Sequence, residues 1–157
     1  MGLGANLGDP RRHLLTALAA LSRHLGPLRV APLYRTEPLS AIPQPRFFNT
    51  VVLARGEMPP EAVLRLAKEL EAGAGRQPGP LDAPRPLDVD LLLWEGVELS
   101  GPPLTLPHPR LRERRFVLTP LAAVAGDWPL PPDGRSVAAV LAALPPGQQV
   151  ERVPWAG

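Results

Sequence analysis

Residues 83–94, APRPLDVDLLLW, set Asp88 and Asp90 one residue apart inside an otherwise apolar run. Leucine and valine suit a buried strand, whereas carboxylates are poor strand residues and costly to remove from water. Strand alternation places both acids on one face, with Cα atoms about 6.5–7 Å apart, and turns Leu87, Val89, Leu91 and Leu93 to the other. Two like charges side by side call for a cation between them. Mg²⁺ fits, because it takes a few carboxylates and completes its shell with waters and phosphate oxygens. A pair of ions about 3.5–4 Å apart also suits this spacing. The plain alternative is an edge strand with both acids facing water. Arg85, on the loop leading to the acids, favours the first reading, since it can serve either a carboxylate or a phosphate.

Outward from this strand, the chain alternates in period. MGLGAN (1–6) reads as a strand end running into a glycine turn. Asp9 and Pro10 then predict a helix start, as N-cap and first helical residue. Leu14, Ala17, Leu18, Leu21 and Leu25 form its apolar stripe, and Gly26 ends it. LRVAPLYRTE (28–37) predicts a second strand, followed by the proline-rich loop PLSAIPQPR (38–46). FFNTVVLAR (47–55) predicts a third, with Phe47, Asn49, Val51 and Leu53 on one face. Residues 59–76 predict a second helix with Val63, Leu66, Ala67 and Leu70 on its buried stripe. After a loop rich in proline and glycine, LDVDLLLW (87–94) is the fourth strand, turned by EGV into a short partner, VELS (97–100). The order β-α-β-β-α-β predicts an α+β, ferredoxin-like sandwich with additional strands. Residues 108–126 and 136–144 read as helices added C-terminally. No internal repeat or linker divides the 157 residues, so a single domain is expected.

Composition narrows the function. No apolar run approaches the roughly 18 residues that cross a bilayer, and the net charge of +2 argues against non-specific nucleic-acid binding. The chain has no cysteine, which fits a cytoplasmic location. Lys68 is the only lysine, and every other cation apart from the histidines is arginine. Genomic bias explains that, as does bidentate phosphate recognition. The 23 prolines fall mostly between the periodic segments and stiffen the loops.

The segment around the two aspartates resembles the Pro-Arg-x-x-Asp-x-Asp signature of the 6-hydroxymethyl-7,8-dihydropterin pyrophosphokinase family of folate biosynthesis. Other segments match that family in the same order. GANLGD (4–9) is similar to its Gly-Ser-Asn-Leu-Gly turn, and YRTEPL followed by QPRFFNTVV to its pterin loop and aromatic-x-Asn strand. LEAGAGR resembles its Glu-x-x-x-Gly-Arg helix end, and LPHPRLRERRFVLTPL its Pro-His…Arg-x-Phe segment. The resemblance runs from residue 4 to about residue 121. It implies transfer of pyrophosphate from MgATP, the co-substrate, to the hydroxymethyl oxygen of the dihydropterin, leaving AMP.

The resemblance also implies roles. Asp88 and Asp90 would bind two Mg²⁺ ions and, with Arg85 and Arg76, form the catalytic centre. Arg76, Arg85, His108 and Arg114 would bind the ATP phosphates, with Glu71 and Thr105 near the nucleoside. Phe47 and Phe116 would sandwich the pterin, Asn49 would read its amide-like edge, and Thr36 and Leu39 would complete that pocket. Taken singly, either phenylalanine reads equally as core and His108 as structural. Arg110, Arg112 and Arg115 read as solvated or auxiliary charges. The partners implied are small molecules, ATP and the dihydropterin, acting on a monomer without nucleic acid or membrane. A non-catalytic nucleotide- or RNA-binding module is the competing class; it would expect exposed aromatics on the sheet, and aromatics are only 4% of the chain.

Three departures stand out. The loop before Arg85 lacks the tryptophan some members carry, although its glycine and prolines still fit a lid over ATP. Pro109 follows His108 where an aromatic is sometimes found, and Ala5 stands for the commoner serine. The first strand is short, so the native start is expected upstream of Met1.

Overall fold

The computed structural model describes residues 1–80 and 82–157. Its elements, in chain order, are β1 (Gly2–Ala5), α1 (Pro10–Leu25), β2 (Leu28–Val30), β3 (Leu33–Thr36), β4 (Phe47–Ala54) and α2 (Pro60–Gly73). They continue with β5 (Asp88–Asp90), α3 (Arg115–Ala125), β6 (Pro129–Leu130), β7 (Arg135–Ser136), α4 (Val137–Ala143) and β8 (Val150–Val153). The main sheet runs β5-β1-β4-β3-β8, with β2 also on β4, and its strand pairs are antiparallel. The first four positions are the strand order of a ferredoxin-like α+β sandwich, extended by β8.

Helix α1 forms where its caps say it should. Asp9 accepts the Arg12 N–H at 3.2 Å, and Gly26, at φ 81°, turns its own N–H back to Ser22 O. The sheet separates two apolar cores. One, containing Leu3, Leu14, Leu21, Leu66, Leu87 and Val89, lies under α1 and α2; the other, containing Val51, Leu92, Leu118, Leu121 and Val137, lies under α3 and α4. Fully burying one such side chain is worth about 1.5–3 kcal/mol, so both faces contribute to holding the sheet.

Several expected boundaries move. The strand expected over 28–37 is two strands, because Pro32 has no N–H to continue the ladder and only Ala31 N–H still reaches Val51 O. The strand expected over 87–94 keeps a ladder only at Asp88–Asp90. Gly2 lies opposite Asp90, so Leu91 to Trp94 run on without a partner in β1. VELS does not fold back on that strand; Leu99 instead makes an isolated bridge with Leu106. The helix expected from residue 108 starts at Arg115, after a single 3₁₀ turn at Leu111–Glu113. The predicted loop before Arg85 includes Leu81, which lies outside the described residues. Among the described residues, no helix is long and apolar enough to cross a membrane.

Candidate active site

Antiparallel register aligns one row of residues across the sheet. Asp88 lies opposite Gly4, Gly4 opposite Asn49, and Asn49 opposite Tyr34, while Thr36 lies opposite Phe47. Directly opposed residues share a face, so Asp88, Asp90, Asn49, Phe47 and Thr36 point to the same side as α3. Strand β1, between β5 and β4, contributes only glycine to that row. A Cβ on Gly4 would stand 2.5 Å from Asn49 Oδ1, so the missing side chain leaves the floor open between the acids and the amide.

Above this floor is a cavity of ≈ 290 Å³. Asp88, Asp90, Arg76, Arg85, His108 and Arg114 line it on one side, and Thr36, Leu39, Phe47, Asn49 and Phe116 on the other. A second cavity, of ≈ 430 Å³, lies between residues 52–58 and 91–95; it is largely apolar and holds no pair of acids. Eleven of the thirteen residues singled out from the sequence therefore meet in one place. Glu71 and Thr105 do not line it.

Glu71 sits behind the wall, 4% exposed. It accepts the Val89 N–H at 2.9 Å and Arg76 Nη1 at 2.5 Å. Burial raises its pKa, against the pull of that N–H and of Arg76. Arg76 bridges onward to Asp88 at 2.8 Å, and Arg85 stands 3.6 Å from the same carboxylate. Burial opposes the charges of both Asp88 and Arg76, but attraction wins: Arg85, then Arg76, lowers the Asp88 pKa, and Asp88, then Glu71, raises that of Arg76. Asp90 is supported less: Arg114 pulls its pKa down but is outweighed. Burial and the neighbouring Asp88 push it up to about 7.

Arg114 alone does not offset the burial of Asp90 and the charge of Asp88, and a divalent cation held by the two acids would add the positive charge needed. Among the described residues no third His, Cys, Asp or Glu joins them. The pair thus fits an ion whose remaining ligands are water and phosphate oxygens, as Mg²⁺ prefers.

His108 is anchored by its N–H to Leu92 O at 2.9 Å, and its Nδ1 accepts the Arg110 N–H at 3.2 Å. Burial and the Arg114 charge lower its pKa. The ring is therefore neutral near pH 7, with its proton on Nε2. The Arg114 pKa is likewise lowered, by burial and by Arg110. Arginines also cover both rings: Arg85 lies 5.8 Å from the Phe47 centroid and Arg114 5.6 Å from that of Phe116. Asn49 Nδ2 donates to Thr36 Oγ1 at 2.8 Å, leaving its carbonyl oxygen toward Gly4 and the cavity.

The structure adds residues that sequence reasoning passed over. Arg110 lines the cavity instead of being only a solvated charge, and so do Lys68, Asp82, Glu37, Ser40 and Gln148. Lys68 was traceable, since it precedes Glu71 by one helical turn on α2. Gln148 gave no local signal. Arg112 and Arg115 have structural partners: Arg112 pairs with Asp133 at 2.6 Å, and Arg115 donates to Pro145 O at 2.8 Å.

A carboxylate pair set among four guanidinium groups and a histidine attracts a polyphosphate, and the two rings beside it accept a flat heterocycle. Such a site on an α+β sandwich has the chemistry of a phosphoryl-transfer enzyme. A family model described as 7,8-dihydro-6-hydroxymethylpterin-pyrophosphokinase matches residues 1–126, and the chain belongs to that family.

Individual relatives agree. A 2-amino-4-hydroxy-6-hydroxymethyldihydropteridine pyrophosphokinase of Pseudomonas aeruginosa is 39% identical over 99% of this chain and 96% of its own length. One of the same name from Methylorubrum extorquens is 39% identical over 98% of this chain and 96% of its own. The folic acid synthesis protein fol1 of Schizosaccharomyces pombe is 39% identical over 81% of this chain, which spans only 18% of that longer protein.

Proposed function

We propose that this protein transfers the pyrophosphoryl group of ATP to the hydroxymethyl oxygen of 6-hydroxymethyl-7,8-dihydropterin, releasing AMP and the pterin diphosphate. The substrate oxygen attacks the β-phosphorus, the bond to the α-phosphate oxygen breaks, and the hydroxyl proton is lost. The chain's own part is positioning and charge. Arg76, Arg85, Arg114 and the Nε2–H of His108 hold the phosphates in line, while Phe47 and Phe116 stack on the pterin and Asn49 reads its edge. Asp88 and Asp90 would hold Mg²⁺, two ions by our reading, which would supply charge neutralisation to the transferring group. Glu71 acts by fixing Arg76 and the β5 backbone. We also read residues 1–157 as one domain and as a cytoplasmic monomer; the one-domain reading is supported by a cavity whose lining runs from Gly4 to Gln148.

The observation that carries this reading is the alignment Asp88–Gly4–Asn49 across β5, β1 and β4. Two carboxylates and an amide on one floor, separated by a glycine, support a cation site beside a group that reads the pterin edge. The test is product analysis with ATP, Mg²⁺ and the dihydropterin. AMP and a pterin diphosphate are expected; ADP, or ATP consumption independent of the pterin, overturns the reading.

A further inference from the structure

Gln148 lines the cavity although it lies beyond residues 1–126, which the family model matches. Its Nε2 donates to Glu37 O at 2.7 Å, and the neighbouring Gln149 N–H donates to Glu37 Oε1 at 2.9 Å. Glu37 is the first residue after β3, whose ladders to β4 and β8 end at Thr36, opposite Phe47 and Val150. Pro38 has no N–H with which to carry a ladder further. The two glutamines therefore extend the grip of the C-terminal segment by one residue. That residue begins the segment that brings Leu39 and Ser40 to the cavity.

The strap that carries them is fixed at both ends. Arg115 Nη2 donates to Pro145 O at 2.8 Å and to Leu144 O at 3.3 Å, and Arg115 immediately precedes Phe116. At the other end, β8 pairs with β3 from Leu33 opposite Val153 to Thr36 opposite Val150, and Arg35 meets Glu151 at 2.6 Å. Pro145 and Pro146 stiffen the stretch between. Residues 145–149 thus run from the Phe116 side of the cavity to the Thr36 side and are bonded to both. Stability does not account for the Gln148 amide. Its Oε1 is buried and has no hydrogen-bond partner among the described residues, and an unmade acceptor costs the fold. We infer that Gln148 is a positioning residue for the pterin side of the site. By holding the Glu37 carbonyl to the strap, it sets where Leu39 and Ser40 stand relative to Phe116. The inference rests on the proposed reaction, in which this side takes the pterin.

The test is steady-state kinetics and thermal unfolding of the full chain as wild type, Gln148→Met, Gln148→Lys and Glu37→Ala. Gln148→Met keeps the length of the side chain, removes the donor and relieves the stranded acceptor. Its KM for the dihydropterin should rise about three- to tenfold, the scale of one lost hydrogen bond. Its ATP KM and kcat should stay within about twofold of wild type, and its Tm should be no lower. Gln148→Lys restores a donor of similar reach and should return the dihydropterin KM to within about twofold of wild type. Glu37→Ala, at an exposed position, removes only the acceptor for Gln149 and should raise the dihydropterin KM alone by about threefold.

An unchanged dihydropterin KM in Gln148→Met, a rise shared equally by the ATP KM, or a Gln148→Lys as impaired as Gln148→Met overturns the inference. A Gln148→Met Tm well below wild type makes the amide structural and overturns it too. Wild-type turnover to AMP is followed in parallel. A wild type that makes AMP, with a dihydropterin KM indifferent to Gln148, defeats only this inference. One that makes no AMP defeats the activity reading itself.

Discussion

Asn49 on β4 donates a 2.8 Å hydrogen bond to the Thr36 hydroxyl on β3, and both residues are buried. The bond fixes which way the amide faces, and Gly4 leaves room for its oxygen. Thr36→Val removes the acceptor and keeps the volume. Leaving the donor unmade costs about 1–3 kcal/mol. The KM for the dihydropterin should rise about tenfold or more while that for ATP changes little; steady-state kinetics with each substrate varied in turn separates the two. Gly4→Ala should give the same pattern by pushing the amide aside. Equal effects on both KM values would contradict the assignment of Asn49 to the pterin side.

Asp90 predicts a specific pH response in the metal-free protein. Its folded pKa is pushed up to about 7 from an unfolded value of 3.8. Between those values the folded state holds the proton more tightly, so this residue's contribution to stability is full below the unfolded value and lost as pH rises through about 7. Asp90→Asn removes that dependence. Its Tm should gain on wild type from about pH 4 to pH 7 and then level off, as thermal unfolding in chelator would record. Added Mg²⁺ at pH 8 should raise the wild-type Tm and leave the variant unmoved.

Arg110 and Arg114 face the same cavity from different degrees of support. Arg110 is paired with Glu113 at 3.0 Å near the rim, its side chain 47% exposed. Arg114 is more buried and covers Phe116. Arg110→Ala should therefore raise the ATP KM by about fivefold, the scale of an exposed charge contact near 1 kcal/mol. Arg114→Ala should raise it tenfold or more and disturb the pterin KM as well. Raising the salt concentration should weaken ATP binding less in each variant than in wild type.

Glu71 separates stability from chemistry. Removing it leaves the Val89 N–H unmade and Arg76 with Asp88 alone, and breaking a buried ion pair costs about 3–5 kcal/mol. Glu71→Ala should lower the denaturation midpoint strongly. Glu71→Gln, which keeps an acceptor for Val89, should recover part of the stability. A variant of unchanged stability would show that the buried carboxylate is not what ties α2 to β5.

Much of this was legible because it depends on local periodicity. Alternation alone puts Asp88 and Asp90 on one face and Leu87 and Val89 on the other, and the latter two are buried as expected. The Asp9 cap and the Gly26 stop needed only neighbouring residues. Pro32 was a readable signal that a single strand could not run through 28–37, because proline takes away a ladder donor. Its effect was missed since the residues on either side are good strand formers.

The C-terminal strand was not legible. Val150–Val153 has to find Leu33–Thr36 across more than a hundred residues, and nothing in four residues names that partner. That Glu71 faces Arg76 and the Val89 N–H and does not line the cavity was not legible for a similar reason. Helical spacing puts it near the site, but whether a carboxylate faces ligand or backbone depends on the strand packed against it.

The sequence by itself determined the order of the core elements, the caps of α1, the shared face of the two acids and the family, since each is written in residue types at short spacing. Tertiary structure alone decided which cations reach Asp88, that burial and Asp88 outweigh Arg114 at Asp90, and that Arg110 joins the wall. Those outcomes turn on distances of a few ångströms between segments far apart in the chain, and such distances are set by packing.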